Sequence, residues 1–555
     1  MSPRRSIGPG ITPLADRPRA VLLAAFVAFF AATSVWSLAT PLMASPDEPV
    51  HVAKAAAVVR GEFTGQLIGG PSSPDGIVKI PAAYADLGRL VKCYQFQANR
   101  PASCAPPYRA SRKTVSMTIY NARYQPLYYA IVGIPSLFTD SSLGIYLMRL
   151  LSGALSALFL ALAVMAAVTW SRSRLLLAGV VVAATPSVLF FGGVVNPTGF
   201  ETSVAICLWT SALILARERL KDPPLGLVAL VAVSGGIEAL VRSMSPFWVV
   251  LTLLTALAVA EWGELGPFLR SRRAWLAGAF LVICGVLGTA WIVLEHSLNV
   301  VPPSAPEPAK VHGIHLLIDG LLRTPQYFTE MVSRFGWLVA PSPDFTYLVW
   351  AGLIGFVVLL AFATGSPRRC VTLVVLLAAV VVIPVVISVG QAHRLGITWQ
   401  GKDTLPLAVG VPILGASMLA NSALASVRIF RSRLVGVAAV AAALATLVAL
   451  FGDLRRNAVG DAGPYLSFRH AIWQPPLGIT GVFLFGILAT ALLTGLFTVL
   501  GIPPAESRTR SRVPRLAADE SSPWALESSG GERRSPSRET EPSVQPDEGE
   551  GVDHG

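Results

Sequence analysis

Charged residues are scarce in this chain: Asp, Glu, Lys and Arg together make up only 14% of its 555 residues. A soluble protein of this size carries roughly a quarter charged residues. The mean hydropathy is +0.60, and apolar runs long enough to cross a bilayer of about 30 Å recur along nearly the whole sequence. The scarcity of charge therefore excludes a soluble globular fold and predicts a polytopic membrane protein.

Several motifs of soluble enzymes are also missing. The sequence has no phosphate-binding Gly-rich loop, no Cys-x-x-Cys pair and no Gly-x-Ser-x-Gly nucleophile turn. An enzyme built on this sequence would therefore use carboxylates and cations rather than a covalent nucleophile. The net charge of +12 does not indicate nucleic-acid binding, because the arginines sit in short connectors between apolar runs and form no basic face on a soluble domain.

The basic connectors predict the topology. Twelve spans with a cytoplasmic N-terminus place every basic connector inside the cell, as the positive-inside rule requires. The predicted spans are 20–42, 145–169, 175–193, 199–216, 225–241, 246–260, 274–294, 345–364, 370–390, 405–420, 434–452 and 477–502. Residues 1–19 are then a cytoplasmic N-terminus and 20–502 a transmembrane domain of the cell membrane. The tail 503–555 is expected to be disordered in the cytoplasm, because it has too few apolar residues to offset its ordering entropy.

Two long loops, 43–144 and 295–344, lie outside in this topology. The apolar segment 123–138 in the first loop is too short to span comfortably, so we predict an interfacial helix with its tyrosines at headgroup level. Cys93 and Cys104 fall in the same loop, on the side of the membrane where a disulfide can persist. Two unpaired thiols are the alternative for these cysteines.

Ionisable residues gather at the outer ends of the predicted spans. Charges inside spans are costly, so each of them is a candidate for a functional site. The set comprises Asp47, Glu48, Arg149, Glu201, Glu238, Arg242, Arg394, Lys402 and Asp403. We predict that they line a shared polar cavity; the alternative is that each side chain simply snorkels to the interface.

The acidic pair Asp47-Glu48 after the first span has two readings. Ser45-Pro46-Asp47-Glu48 fits a capping box, with Ser45 at the N-cap and Glu48 reaching back from the third helical position. Adjacent carboxylates at a membrane boundary also suit acid–base chemistry on a substrate that arrives from the lipid. Both roles are compatible, because Glu48 can cap the helix while Asp47 faces the cavity.

These features resemble the GT-C superfamily of integral-membrane glycosyltransferases, and more narrowly a bacterial branch of predicted multi-pass membrane proteins. The matching elements are Pro-Asp-Glu-x-x-His at 46–51, Pro-Leu-Tyr-Tyr at 126–129, an arginine early in the next span at Arg149, and Asn196-Pro197 at the next outer turn. The resemblance runs from about residue 20 to 420. It implies an all-α, GT-C-like bundle of about twelve transmembrane helices, with interfacial helices in the first outer loop.

The resemblance also implies a function. Such enzymes move a sugar from a polyprenyl-phosphate donor in the membrane lipid to a glycan, glycolipid or protein acceptor on the outer face, sometimes with a divalent metal ion. It implies Asp47 as the general base, with Glu48 as a helper. Substrate-binding roles are implied for His51, Arg149, Asn196, Glu201, Glu238, Arg242, Arg394 and Lys402.

Two departures from the family pattern keep other functions open. Thr198 stands where an aspartate is expected, and Lys402-Asp403 stands where an Arg-Tyr pair is expected. The alternatives are a transporter or flippase for a lipid-linked substrate and a non-catalytic scaffold of an envelope assembly. A transporter would need ionisable groups and broken helices at the bilayer midplane, whereas the charges here crowd toward one face.

Overall fold

The computed structural model describes residues 14–70, 73–298, 313–465, 468 and 471–502, apart from the side chains of 394–395 and 428–432. Nineteen α-helices account for most of this chain. They are α1 Pro18–Ala39, α2 Glu48–Val58, α3 Leu127–Val132, α4 Ser142–Trp170, α5 Leu176–Ala183, α6 Pro186–Gly192, α7 Pro197–Arg217, α8 Leu225–Glu238, α9 Ser245–Ala258, α10 Trp262–Leu269, α11 Arg272–Leu294, α12 Ile314–Leu322, α13 Thr324–Ser333, α14 Asp344–Thr364, α15 Pro367–Leu395, α16 Gly401–Ala408, α17 Gly410–Ala420, α18 Arg428–Val459 and α19 Gly478–Gly501. The prediction of a mostly helical membrane fold is confirmed.

Within the described residues, nine helices or helix pairs are long and apolar enough to cross a membrane. Two shorter apolar helices, α8 and α9, cover the predicted spans 225–241 and 246–260. The predicted span 175–193 consists of the short helices α5 and α6, which meet at Pro186. Proline removes a backbone donor and ends a helix, so this segment is broken where a continuous span was predicted. The count of twelve spans therefore stays a prediction.

The most buried helices bind the bundle together. Almost every residue of α7 is buried. Helix α4 packs against both α1 and α7, and α17 packs against α5. By contrast, most residues of α11, α14 and α19 are exposed or only partly buried. In a bilayer such exposed apolar faces contact lipid, because lipid chains are as apolar as leucine. The bundle thus has a close-packed centre and a lipid-facing outer ring.

The loop 43–144, which the predicted topology places outside, has its own small fold. Strands β1 Gln66–Leu67, β2 Gly76–Pro81 and β3 Thr114–Ile119 form an antiparallel sheet in the order β1-β2-β3, with Ile77 opposite Thr118. Buried Lys54 of α2 donates to the carbonyls of Phe63 and Ala122. These bonds satisfy a buried cation through backbone oxygens and tie the sheet to the helix below it.

The segment 123–138, predicted to be interfacial, contains α3 and a 3-10 helix, Ile134–Leu137. Phe138 is 78% exposed, which suits a position at the membrane surface. Tyr128 and Tyr129 are completely buried in the protein, so their rings do not contact lipid headgroups as the prediction requires. Their hydroxyls have partners inside the protein, Ser152 for Tyr128 and His51 for Tyr129, which makes that burial tolerable.

The loop 295–344, also predicted to lie outside, carries α12, α13 and a short hairpin of β4 Arg334–Phe335 and β5 Ala340–Pro341. Gly336, Trp337 and Leu338 in the hairpin turn all have positive φ angles. Bulky residues rarely adopt this conformation, so the turn is strained and is held by its surroundings. Residues 1–13 and 299–312, and with them parts of the predicted N-terminus and second loop, lie outside the described residues, as does the predicted disordered tail 503–555.

The topology is tested by labelling cysteines introduced at two exposed positions, Arg172 and His315. Because the predicted topology places them on opposite sides, an impermeant thiol reagent applied to intact cells should label His315→Cys but not Arg172→Cys. Both variants should react after permeabilisation. Labelling of both variants in intact cells would contradict the cytoplasmic N-terminus and the outer position of the loops.

Candidate functional site

The turn between α1 and α2 presents Asp47 differently from the predicted capping box. Helix α2 begins at Glu48, and Asp47 is its N-cap with a left-handed backbone, φ 59° and ψ 4°. Neither carboxylate caps the helix, so the capping-box interpretation is wrong. Pro49 within the first turn removes one of the donors that such a box would serve. The Asp47 side chain is therefore free to make other contacts.

Glu48 is committed to a buried ion pair with Arg149. The Arg149 guanidinium donates to both carboxylate oxygens of Glu48, with N–O distances of 2.7 and 2.6 Å, and both side chains have zero exposure. Arg149 also donates to the carbonyls of Ser37, Thr40 and Pro41 at the end of α1. Neither residue lines a cavity, so the geometry favours a structural role over the catalytic and substrate-binding roles predicted for them.

Asp47 pairs with Lys402 at the start of α16. The Lys402 ammonium lies 2.9 Å from Asp47 Oδ2, and the Tyr120 hydroxyl donates to Oδ1 at 2.9 Å. Burial raises the pKa of Asp47, but the charge of Lys402 and these hydrogen bonds outweigh it and hold the pKa at about 2. Asp47 still exposes 29% of its side chain. An ionised carboxylate is thus accessible to a ligand.

Arg242 links helix α7 to helix α16. Its guanidinium donates to Glu201 Oε2 at 3.0 Å and to Asp403 Oδ1 at 2.8 Å. Asp403 Oδ2 accepts the backbone N–H of Gln400 and so also caps α16. Glu201 is completely buried and accepts a second bond from the Ser245 hydroxyl. These contacts connect the starts of α7, α9 and α16 around one arginine.

Two cavities meet at Asp47. One cavity has a volume of about 230 Å³ and is lined by Arg242, Lys402 and Asp403. We call it the donor cavity, after the substrate that we propose for it. The aromatic cavity has a volume of about 280 Å³ and is lined by Tyr120, Trp337 and other aromatic residues. Both cavities are lined by Asp47, His51, Tyr124, Thr398, Trp399 and Gln400. The carboxylate of Asp47 therefore lies where contents of the two cavities could meet.

The other predicted site residues divide into two groups. His51 lines both cavities and Asn196 lines the donor cavity, where its amide donates to the Pro46 carbonyl at 3.1 Å. Burial lowers the pKa of His51 to about 3, so this ring is neutral and lies 2.7 Å from the Tyr129 hydroxyl. Glu201 and Glu238 are buried away from both cavities. Arg394 lies in α15, and its side chain is outside the described residues.

Sequence reasoning missed several cavity residues. Tyr120, Tyr124, Trp399 and Gln400 line one or both cavities, yet none carries a charge that marks it in the sequence. Aromatic and amide residues are common in loops, so only their position relative to Asp47 reveals them. Asp403, by contrast, was already among the charged residues that the sequence predicts to line a shared cavity, and it does line the donor cavity.

Among the described residues, no group of three or more His, Cys, Asp and Glu side chains could hold a metal ion. The two carboxylates that line the donor cavity, Asp47 and Asp403, each have a cationic partner instead. This donor set does not fit the divalent metal that sequence resemblance allowed.

The disulfide-closed segment 93–104 is the remaining part of the site. Cys93 and Cys104 are joined by a disulfide bond. Buried Arg456 of α18 donates to the carbonyls of Tyr94 and Gln97 within this segment, at 3.1 Å each. The segment is thereby attached to the bundle, and it brings Phe96 to the wall of the aromatic cavity.

We expect Glu48→Gln to destabilise the protein by about 3–5 kcal/mol, because it leaves the guanidinium of Arg149 buried without its counter-charge. Denaturant unfolding in detergent would measure the loss. The matched control is Arg112→Met, which removes an exposed ion pair with Asp140, 3.5 Å long, and should cost no more than about 1 kcal/mol. Equal effects of the two variants would contradict the structural role of the Glu48–Arg149 pair.

Comparison with known proteins places the chain in a family. A family model described as predicted membrane protein (DUF2142) matches residues 29–411. The chain is similar to the crystal structure of ArnT from Cupriavidus metallidurans bound to undecaprenyl phosphate, with 15% identity, a TM-score of 0.33, and coverage of 81% of this chain and 76% of that chain. The apo structure of the same ArnT gives a TM-score of 0.32 at the same identity and coverage. The comparison with curated proteins gives no match. The family model spans more than half of the sequence, and the chain therefore belongs to the DUF2142 family of predicted membrane proteins.

Proposed function

We propose that this protein is a glycosyltransferase that moves a sugar from a polyprenyl-phosphate donor to an acceptor hydroxyl at the outer face of the membrane, with Asp47 as the general base. One observation carries the proposal: the accessible, ionised carboxylate of Asp47 lies where two cavities meet, and one of those cavities holds two cations. A transferase needs such an arrangement, because two substrates must meet at one base.

The donor cavity offers groups that suit a phosphate. Arg242 and Lys402 line it, and so do the first residues of α7, the residue before α9 and the residue before α16. Helix N-termini carry partial positive charge and favour anions. Cations facing a departing phosphate stabilise the charge that develops as the glycosidic bond breaks.

The net charge of the ion-pair cluster in the donor cavity implies that a bound phosphate replaces one of the carboxylates as the partner of a cation. Three carboxylates, Asp47, Glu201 and Asp403, accompany the two cations Arg242 and Lys402. With all five groups ionised the cluster has a net charge of −1, which opposes phosphate entry. We infer that the phosphate takes Lys402 from Asp47. Losing this cation raises the pKa of Asp47, so donor binding itself makes the carboxylate a stronger base.

The proposed transfer forms one bond and breaks one bond at the anomeric carbon of the sugar. The acceptor hydroxyl oxygen bonds to the anomeric carbon, and its proton passes to Asp47. The bond between that carbon and the phosphate oxygen breaks, and the lipid phosphate leaves with the electron pair beside Lys402 and Arg242. Displacement from the opposite side inverts the anomeric carbon.

An apolar groove offers a place for the lipid chain. It lies between α9 and α11, has a volume of about 720 Å³, and is lined by residues such as Ala239, Pro246 and Leu294. These lie within four positions along the chain of the donor-cavity residues Arg242, Met244 and Leu298. A polyprenyl chain in this groove would contact apolar side chains while its phosphate reached the cations.

We expect Asp47→Asn to lower the transfer rate by roughly 10²–10⁴-fold, the usual contribution of a general base, without reducing the amount of protein in the membrane. The assay follows the polyprenyl-phosphate sugar pool and envelope glycans of cells without the gene, complemented by each variant. Asp140→Asn is the matched control, because its side chain is also 29% exposed but lines neither cavity. Full rescue by Asp47→Asn would overturn the proposal and favour the transporter or scaffold alternatives.

The Lys402 pairing predicts a specific pH effect. Since Lys402 holds the pKa of Asp47 at about 2, the acid limb of kcat/KM for the wild type should lie below about pH 4. In Lys402→Met the lysine no longer offsets the effect of burial, so the pKa of Asp47 rises. The acid limb of kcat/KM should therefore move to higher pH. Lys79→Met, an exposed lysine of β2, should leave the profile unchanged. An unshifted limb in Lys402→Met would show that Asp47 is not the titrating base.

A further inference from the structure

The aromatic cavity has a wall made by two residues from distant loops. Phe96 comes from the disulfide-closed segment and Trp337 from the hairpin turn of the second outer loop. Their ring centroids are 5.5 Å apart with an interplanar angle of 72°, and both rings line the cavity. We call this pair the aromatic platform. Phe96 is 58% exposed, so the platform is accessible from outside.

The platform is held in place at an energetic cost. Phe96 and Trp337 both have left-handed backbones, with φ angles of 59° and 57°. Such a conformation costs roughly 1–3 kcal/mol for each bulky residue and tends to occur at functional sites. The Trp337 indole N–H donates to the Met43 carbonyl at 3.1 Å, which fixes the ring close to the Asp47 turn. Two strained residues that converge on one open surface indicate a ligand-binding role.

The rest of the aromatic cavity is lined by planar polar side chains. Asn121, Gln326 and Gln400 supply amides, and Arg323 supplies a guanidinium. A sugar ring has faces of C–H bonds and a rim of hydroxyl groups, so it is matched by aromatic faces together with amide and charged hydrogen-bonding groups. A volume of about 280 Å³ equals that of about nine liquid waters, which is room for one sugar unit.

We propose that the aromatic cavity is the acceptor site and that the acceptor is a carbohydrate, with one sugar ring stacked on the Phe96–Trp337 platform and a hydroxyl directed at Asp47. This inference rests on the proposed transferase function and adds the acceptor class to it. A peptide or a lipid acceptor would not require an open aromatic platform beside the base.

The test measures binding rather than catalysis, so that it is independent of the transferase assay. Saturation-transfer NMR on the full chain in nanodiscs would use methyl α-D-mannopyranoside, methyl α-D-glucopyranoside, methyl β-D-galactopyranoside, methyl α-L-rhamnopyranoside and methyl α-D-arabinofuranoside as probes. We expect at least one glycoside to bind through its ring C–H protons. Phe96→Ala and Trp337→Ala should each weaken binding about tenfold, equivalent to about 1.4 kcal/mol.

Two controls separate the possible failures. Phe138→Ala removes a phenylalanine of the same outer loop that is 78% exposed and lines neither cavity, and it should bind normally. Asp140→Asn removes a carboxylate that lines neither cavity, and it should also bind the glycoside normally. If Trp337→Ala does not fold, Phe96→Ala alone decides, since Phe96 is exposed and donates no side-chain hydrogen bond.

Three results would overturn the acceptor assignment. These are no binding by any glycoside, binding that survives Phe96→Ala, or binding of a tripeptide probe that is lost in both platform variants. An active Asp47→Asn variant would instead overturn the transferase function, and glycoside binding to the platform would then stand as a separate property. Failure of the acceptor assignment can therefore be distinguished from failure of the transferase function.

Discussion

The buried ion pair between Glu48 and Arg149 is the interaction on which the site depends. Arg149 extends from α4 and binds the last carbonyls of α1 and the carboxylate of Glu48 at the start of α2. Glu48 Oε1 also accepts the backbone N–H of Val195, just before α7. The end of α1, the start of α2, helix α4 and the turn before α7 are thus joined around two side chains that have no exposed surface. Because an unpaired charge there is so costly, the turn that contains Asp47 has little freedom to move.

That rigidity gives the two acidic neighbours different environments. Glu48 points into the bundle and has its full set of partners, whereas Asp47 points into the cavities and keeps part of its surface open. A left-handed backbone at Asp47 separates the two directions. The structural role of Glu48 and the chemical role that we propose for Asp47 therefore follow from what surrounds each carboxylate rather than from residue type.

The two cavities that meet at Asp47 also differ in the residues that line them. In the proposed function, the donor cavity holds a charged cluster in which each cation has a carboxylate partner, so an arriving phosphate would exchange with one of them. The aromatic cavity has aromatic and amide walls, and two of its residues come from loops with left-handed backbones. The disulfide and Arg456 attach one of these loops to the bundle, and this loop carries Phe96 at the cavity wall.

The sequence by itself determined the membrane class, the approximate helix positions and the one-sided clustering of charge, because hydropathy and the cost of intramembrane charge are local properties of the chain. It also singled out Asp47 and Lys402, which carry charge at helix ends. Only the tertiary structure decided that Arg149 belongs to Glu48 and not to a ligand, that Tyr129 is buried, and that Phe96 meets Trp337. Pairing and burial depend on which of many distant segments pack together, and aromatic or amide residues carry no local signal of that choice.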